Sequence, residues 1–288
     1  MARDRQTPAA AHVRRRERLP DGLVHDHMEG ALDRPRDPLP TRLEDLAPLS
    51  AAYHQTLDAG LVSLGLVLEP AARVAIDAHV RFLLAWTGAI NLTAIREPGD
   101  VARLHVLDSL AAVPPLAALG IDRLLDIGTG GGFPSLPLAA ALGADRVLLV
   151  DSVGKKVRFL QTVVEATGMG RRIAAEQARS EAIARDPRDR EAWPAVTARA
   201  VTSLAELVEL GLPLVAPGGV LVAWKRVPLD AELDAAAGAL AELHAGPVRV
   251  LPSGVPGLED HRLVIVPRGG RIDARFPRDP AERRRRPL

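Results

Sequence analysis

Cysteine is absent from this 288-residue chain. Disulfides and thiolate metal sites are therefore excluded. So is radical chemistry on an iron–sulfur cluster, which needs Cys ligands. Methyl transfer to pyrimidine C5 of the usual kind is excluded too, because it needs a Cys nucleophile. Aromatic residues make up only 3% of the chain, too few for a base-stacking platform of the single-strand-binding type. Lysine is nearly missing: Lys155, Lys156 and Lys225 are the only three, and arginine supplies the other basic residues. The net charge is +1, so the chain as a whole is no polycation. No apolar run approaches the roughly 18 residues that span a bilayer. The start, Met-Ala-Arg-Asp-Arg, carries no apolar signal core. A cytoplasmic protein with no membrane partner is expected.

What is present divides the chain into four parts. Residues 1–45 hold Pro8, Pro20, Pro35, Pro38 and Pro40 among many charges, and predict a disordered extension. Its His25 and His27 form a poor metal signal, and no metal is expected. Residues 46–119 are predicted to be helical. Ser50 caps a helix carrying Leu57, Leu61, Leu64 and Leu68. Glu69-Pro70 starts a second with Val74, Ile76, Val80, Phe82, Leu83 and Trp86 mostly on one face, broken at Asn91. A third follows Pro98, carries His105, Asp108 and Ser109, and ends at Pro114-Pro115. Residues 120–267 alternate: strands are predicted near 123–127, 147–150, 172–174, 195–201, 219–224, 247–251 and 262–266. Helices fall near 134–142, 155–167, 203–211 and 230–243. This predicts an α/β fold with a seven-stranded, mostly parallel sheet covered by helices on both faces. The last two strands lack room for a crossover helix and should pair antiparallel. Residues 268–288 carry eight Arg against three acids and predict a disordered, phosphate-binding tail.

The most informative stretch is Asp126-Ile127-Gly128-Thr129-Gly130-Gly131-Gly132-Phe133-Pro134. A strand runs into a glycine turn and then a helix, so a ligand can lie against bare backbone. A phosphate loop is excluded because Gly-x-x-x-x-Gly-Lys is missing. The dinucleotide fingerprint fits at Gly128 and Gly130 but fails at its third glycine, where Phe133 stands. Asp126 before the turn suits a cationic ligand such as S-adenosylmethionine. Asp151 ends the next strand, where a carboxylate can accept both ribose hydroxyls.

Taken together these residues resemble the bacterial small-subunit ribosomal RNA guanine-N7 methyltransferases, also called glucose-inhibited division protein B. The similarity covers about residues 80–266. Besides the turn it rests on Trp86, Asn91-Leu92-Thr93-Ala94-Ile95, His105, Leu107-Asp108-Ser109 and Asp151-Ser152. It continues through Lys155 to Leu160, Arg199-Ala200-Val201, Pro217-Gly218-Gly219 and Trp224-Lys225. The resemblance implies a Rossmann-like class I methyltransferase fold with S-adenosylmethionine as cofactor. Gly128 and Phe133 would line its pocket, with Asp126 and Gly130 in the turn. Asp151 would take the ribose, and Ser180 and Glu181 would contact the adenine end. Arg199 would sit near the cofactor and face the substrate. The implied partner is small-subunit ribosomal RNA or a ribosomal precursor particle, met by a monomer.

Guanine N7 has a lone pair and no proton, so its methylation needs alignment and charge complementarity but no general base. No catalytic base is expected; Arg199, Asn91 and His105 are the candidates for shaping the target pocket. Asp108 lies three residues on, on the same helical face as His105, and either shapes that pocket too or forms an ordinary surface pair with it. The place after the fourth strand reads Ala198-Arg199-Ala200-Val201, not the Asn-Pro-Pro-Tyr or Asp-Pro-Pro-Tyr common among amino-group methyltransferases. Competing readings are a NAD-dependent oxidoreductase, a methyltransferase for a small molecule or protein, and a non-enzymatic basic RNA-binding protein.

Overall fold

Alternate residues of each strand must face opposite sides of a sheet, and here that parity sorts the apolar residues into two cores. The computed structural model describes residues 38–288, and Leu39–Leu288 form one compact unit. The strands are β1 Arg123–Ile127, β2 Arg146–Asp151, β3 Ile173–Gln177, β4 Trp193–Arg199, β5 Val215–Arg226, β6 Arg249–Pro252 and β7 His261–Pro267. They form one sheet in the order β3-β2-β1-β4-β5-β7-β6. β1 to β5 pair in parallel, while β7 pairs antiparallel with both β5 and β6. All seven expected strands are present, and the last pair has the expected direction.

Leu124, Val147, Leu149, Val220, Val222, Trp224, Leu263 and Ile265 enter one core, with the helices Ala51–Ser63, Pro70–Ile90, Ser135–Leu142 and Gly154–Ala166. Leu125, Leu148, Val150, Val196, Leu221, Val264 and Val266 enter the other, beneath the helices Ser180–Arg185, Leu204–Gly211 and Asp230–Glu242. By the same parity Asp126, Arg199 and His261 belong to the first face, toward the N-terminal helical layer. The sheet order reverses between β1 and β4. In such folds ligands bind outside the carboxyl ends of the strands at this switch point.

The helical layer follows its local signals. Ser50 Oγ accepts from the Tyr53 N–H and caps the first helix. That helix stops at Ser63, short of Leu64 and Leu68, because the chain turns back and the Leu66 N–H donates to Leu61 O (2.9 Å). Pro70 opens the Pro70–Ile90 helix, and Asn91 closes it in a left-handed conformation, φ 51°. The stretch 98–110 is continuous helix, but its middle, Val101–Leu107, is a π-helix. Pro114 and Pro115 do not end it. They sit in the first turn of the short helix Val113–Ala117, where a missing N–H costs nothing. No described helix is long and apolar enough to cross a membrane.

Two boundaries need correction. Residues 1–37 lie outside the described residues, but 38–45 are ordered: the Trp86 Nε1–H donates to Pro40 O and Arg81 donates to Leu43 O. The tail 268–288 is not a disordered strand of arginines. Ile272 and Phe276 are buried in the second core, and Pro280–Arg285 is a helix capped by Asp279. Charge counting misled because three of the eight arginines are turned inward. Arg268, Arg278 and Arg283 pair with Glu191, Glu209 and Glu181.

Candidate active site

Two cavities open side by side along the carboxyl ends of the central strands. The first, about 420 Å³, is lined by Gly128, Asp151, Lys156, Ser180, Glu181 and Arg283 among others. The second, about 400 Å³, is lined by His105, Asp108, Arg199, Trp224, Lys225 and His261 among others. Ala200, Val201 and Thr202, directly after β4, belong to both and form the shared wall. Lys225 holds that wall in place, its ammonium donating to Thr202 O (2.8 Å) and Glu232 Oε1 (2.5 Å).

The first cavity fits a nucleoside. Asp151 is buried at the end of β2, with Oδ2 accepting from the Gly130 N–H (2.9 Å) and Oδ1 from the Val153 N–H (2.8 Å). A carboxylate has about four acceptor positions, so two backbone contacts leave capacity for a vicinal diol. Lys156 stands 3.9 Å away. Gly128 has φ +70°, and a Cβ there would come within 2.7 Å of Val201 Cγ2. A side chain at Gly128 would therefore fill the cradle between the turn and the shared wall. Gly130 differs. Its φ is +57°, yet the nearest atom to an added Cβ is Gly128 O at 3.9 Å, so conformation rather than space demands glycine. Gly130→Val should strain the turn by about 1–3 kcal/mol and displace the N–H that Asp151 receives. The expected outcome is a folded protein, by circular dichroism, that no longer binds cofactor by calorimetry. Wild-type affinity in that variant would contradict the reading of the turn.

Three expected cofactor residues, Asp126, Phe133 and Arg199, do not line the first cavity. Asp126 is fully buried and lines neither cavity. Its Oδ1 accepts from Thr197 Oγ1 (2.7 Å), and burial raises its carboxyl to about 7 against that hydrogen bond. Strand parity turns it toward the N-terminal helical layer, on the same face as Arg199. Phe133 also lines neither cavity. Its ring packs against His79 (4.5 Å) and His105 (4.8 Å, nearly parallel), with the Arg199 guanidinium 5.4 Å away, so it backs two residues of the second cavity's wall. Arg199 lines the second cavity only. Ser180 and Glu181 do line the first, on the short helix after β3.

The second cavity is organised by buried Asp108. Arg199 Nη1 donates to Asp108 Oδ2 (3.0 Å) and to the carbonyl of Leu104 on the π-helix (3.0 Å). His261 Nδ1 lies 2.8 Å from Asp108 Oδ1, and the Trp224 indole N–H donates to Asp108 O (2.7 Å). Burial pulls the Arg199 guanidinium down, but Asp108 opposes it, and an Arg in this position keeps its charge.

His105 completes the arrangement. Its Nδ1 is 3.1 Å from Arg199 Nη2, which can only donate, so Nδ1 accepts and the Nε2–H donates to Thr93 Oγ1 (2.7 Å). Burial, then Arg199, lower it to about 3, so it is neutral and holds rather than abstracts. Asn91, the remaining candidate, is exposed, caps its helix and lines neither cavity. The segment after it matters instead, through Thr93 under His105 and Ile95 in the cavity wall.

Two residues escaped sequence reasoning. His79 is buried, and its Nε2–H donates to Gly131 O (2.6 Å), which fixes the turn; burial lowers it to about 4. It sits at an apolar position of the Pro70–Ile90 helix, so the break in the apolar face was its only signal. His261 reaches Asp108 across 153 residues. Only the antiparallel register, which pairs Arg226 with His261 next to Trp224, brings it there.

Comparison with known proteins agrees with this geometry. Residues 73–253 match the model of the family described as GidB, rRNA small subunit methyltransferase G. A protein named ribosomal RNA small subunit methyltransferase G from Roseiflexus castenholzii is 40% identical over 206 residues, covering 72% of this chain and 87% of the relative. One of the same name from Stenotrophomonas maltophilia is 41% identical over 224 residues, covering 77% of this chain and 98% of the relative. Among solved structures, an O-methyltransferase from Bacillus cereus in complex with SAH is similar in fold. Its TM-score is 0.50 at 15% identity, covering 78% of this chain and 99% of that one.

Proposed function

Because the chain belongs to the rRNA small subunit methyltransferase G family, we propose that it methylates N7 of one guanine in small-subunit ribosomal RNA, free or within a precursor particle. S-adenosylmethionine is the cofactor, and when bound it supplies a methyl group on a sulfonium centre. The observation that carries the reading is the junction of two cavities at Ala200–Thr202. One offers a strand-end carboxylate and a glycine cradle, the other a guanidinium fixed by Asp108.

Each side chain then has a distinct task. Asp151 accepts from the ribose hydroxyls, and Gly128 leaves room for the ligand beside Val201. Ser180 and Glu181 serve the adenine end. Arg199, immobilised by Asp108 and His105, binds a phosphate or the guanine O6 edge. It does not bind N7, whose lone pair must stay free to attack. N7 carries no proton, so the neutral imidazoles of His79 and His105 have none to remove. A NAD-dependent oxidoreductase would need the third glycine of the dinucleotide fingerprint, and the turn has Phe133 there.

Asp151→Ala should weaken cofactor binding by about 1–3 kcal/mol, the cost of unpaired polar contacts, measured by calorimetry with S-adenosylmethionine. Unchanged affinity would remove Asp151 from the site. In cells, ribosomal RNA from a deletion strain should lose one methylated nucleoside on digestion and mass spectrometry. An unchanged nucleoside profile would contradict the proposed substrate.

A further inference from the structure

The segment 268–288 lies beyond the family match, which stops at residue 253, yet it reaches the cofactor cavity. Arg283, on the terminal helix Pro280–Arg285, is 8% exposed and lines the first cavity beside Glu181 and Glu206. Its Nη2 donates to Glu181 Oε1 (2.5 Å), Nη1 donates to Arg278 O (2.8 Å), and Nε lies 3.5 Å from Glu206 Oε1.

The terminal helix is anchored independently of that contact. Arg278 grips Glu209 through Nε (2.8 Å) and Nη2 (2.7 Å), and Arg190 donates to Phe276 O (2.7 Å) and Asp273 O (3.0 Å). We infer that Arg283 is a positioning residue for the cofactor: the C-terminal segment carries it into the cavity wall, where it orients the Glu181 carboxylate toward the adenine end of the ligand.

A carboxylate on a six-residue helix at the cavity rim has several rotamers available, and a ligand would have to order it. Arg283 imposes that order before binding, and a preorganised contact costs the complex less. One Arg N–H takes one acceptor position, so the carboxylate keeps others for a ligand N–H. Burial acts to raise the Glu181 carboxyl, but the ion pair outweighs it and leaves the group below its ordinary value, hence an anion.

The inference rests on the reading of the first cavity as the S-adenosylmethionine site. The test is calorimetry with S-adenosylhomocysteine on the full-length protein and on Arg283→Ala, Arg283→Lys, Glu181→Gln and the Arg283→Ala/Glu181→Gln double variant. Steady-state methylation and thermal melting are measured alongside. Arg283→Ala should raise Kd about tenfold, the size of one charge-assisted hydrogen bond lost from its place. The KM for S-adenosylmethionine should rise in step, with kcat at saturation within about twofold of wild type. Arg283→Lys should recover part of the affinity. In the Glu181→Gln background, the further change on removing Arg283 should be under about threefold, because the two residues act as one unit. The double variant leaves no unpaired buried charge, so it remains informative where Arg283→Ala alone melts early. Unchanged Kd in folded Arg283→Ala would overturn the inference. So would a full tenfold loss in the Glu181→Gln background. Failure of the wild-type protein to bind S-adenosylhomocysteine would instead overturn the cofactor reading itself.

Discussion

Replacing Asp108 with alanine should abolish methyl transfer and lower the melting temperature, while cofactor affinity stays within about threefold of wild type. Asp108 is 2% exposed and carries the charge that balances Arg199, itself only 14% exposed at its side chain. Removing one partner of a buried ion pair costs about 3–5 kcal/mol, because the other charge is left uncompensated. His261 loses its partner in the same step. For a domain of this size the loss corresponds to a fall of roughly 10 °C in Tm. The chemistry suffers separately. With Asp108 gone, Arg199 keeps only Leu104 O and His105 as partners, and a misplacement of about 1 Å can cost a hundredfold in rate. The double variant Asp108→Leu/Arg199→Met separates the effects: it should regain much of the stability, as apolar replacements of buried pairs often do, and none of the activity. Normal methylation by Asp108→Ala would show that the second cavity does not hold the target.

Arg278→Ala should be nearly as damaging to stability, although it lies outside both cavities. Glu209 is 2% exposed, and both of its oxygens are held by the Arg278 guanidinium in a bidentate pair. Its loss should cost about 3–5 kcal/mol by the same reasoning, read from urea unfolding. The exposed neighbours Arg284, Arg285 and Arg286 serve as controls, and alanine at each should stay within about 0.5 kcal/mol of wild type. If the segment were only an RNA-binding tail, all four substitutions would leave unfolding unchanged and alter only the salt dependence of RNA binding.

The pattern of legibility in the sequence has physical causes. The seven strands and their directions were readable because each is an apolar run with turn residues at its ends. The glycine turn and Asp151 were readable because a nucleoside site on this fold is local, built from one turn and the next strand end. The second cavity was readable only in part: Arg199 and His105 were candidates for it, but its assembly was not. Arg199, Asp108, Trp224 and His261 come from four separate elements, and only strand parity plus the order β4-β5-β7 puts them on one face. The places that Asp126 and Phe133 take were not readable for a related reason. Proximity in sequence to Gly128 says nothing about which face of the sheet a side chain takes. The C-terminal segment was misread because charge was counted without its partners. Glu181, Glu191 and Glu209 are scattered through the chain, and composition alone cannot show that they meet Arg283, Arg268 and Arg278.

The most direct measurement uses purified protein, S-adenosylmethionine with an isotopically labelled methyl group, and small-subunit ribosomal RNA from a strain lacking this enzyme. The RNA is digested to nucleosides and analysed by mass spectrometry. The expected result is label in 7-methylguanosine alone, at close to one methyl per RNA, and none with Arg199→Ala. Label in an N2-methylated guanosine or any other nucleoside, or no transfer despite cofactor binding, would contradict guanine N7 as the target of this site.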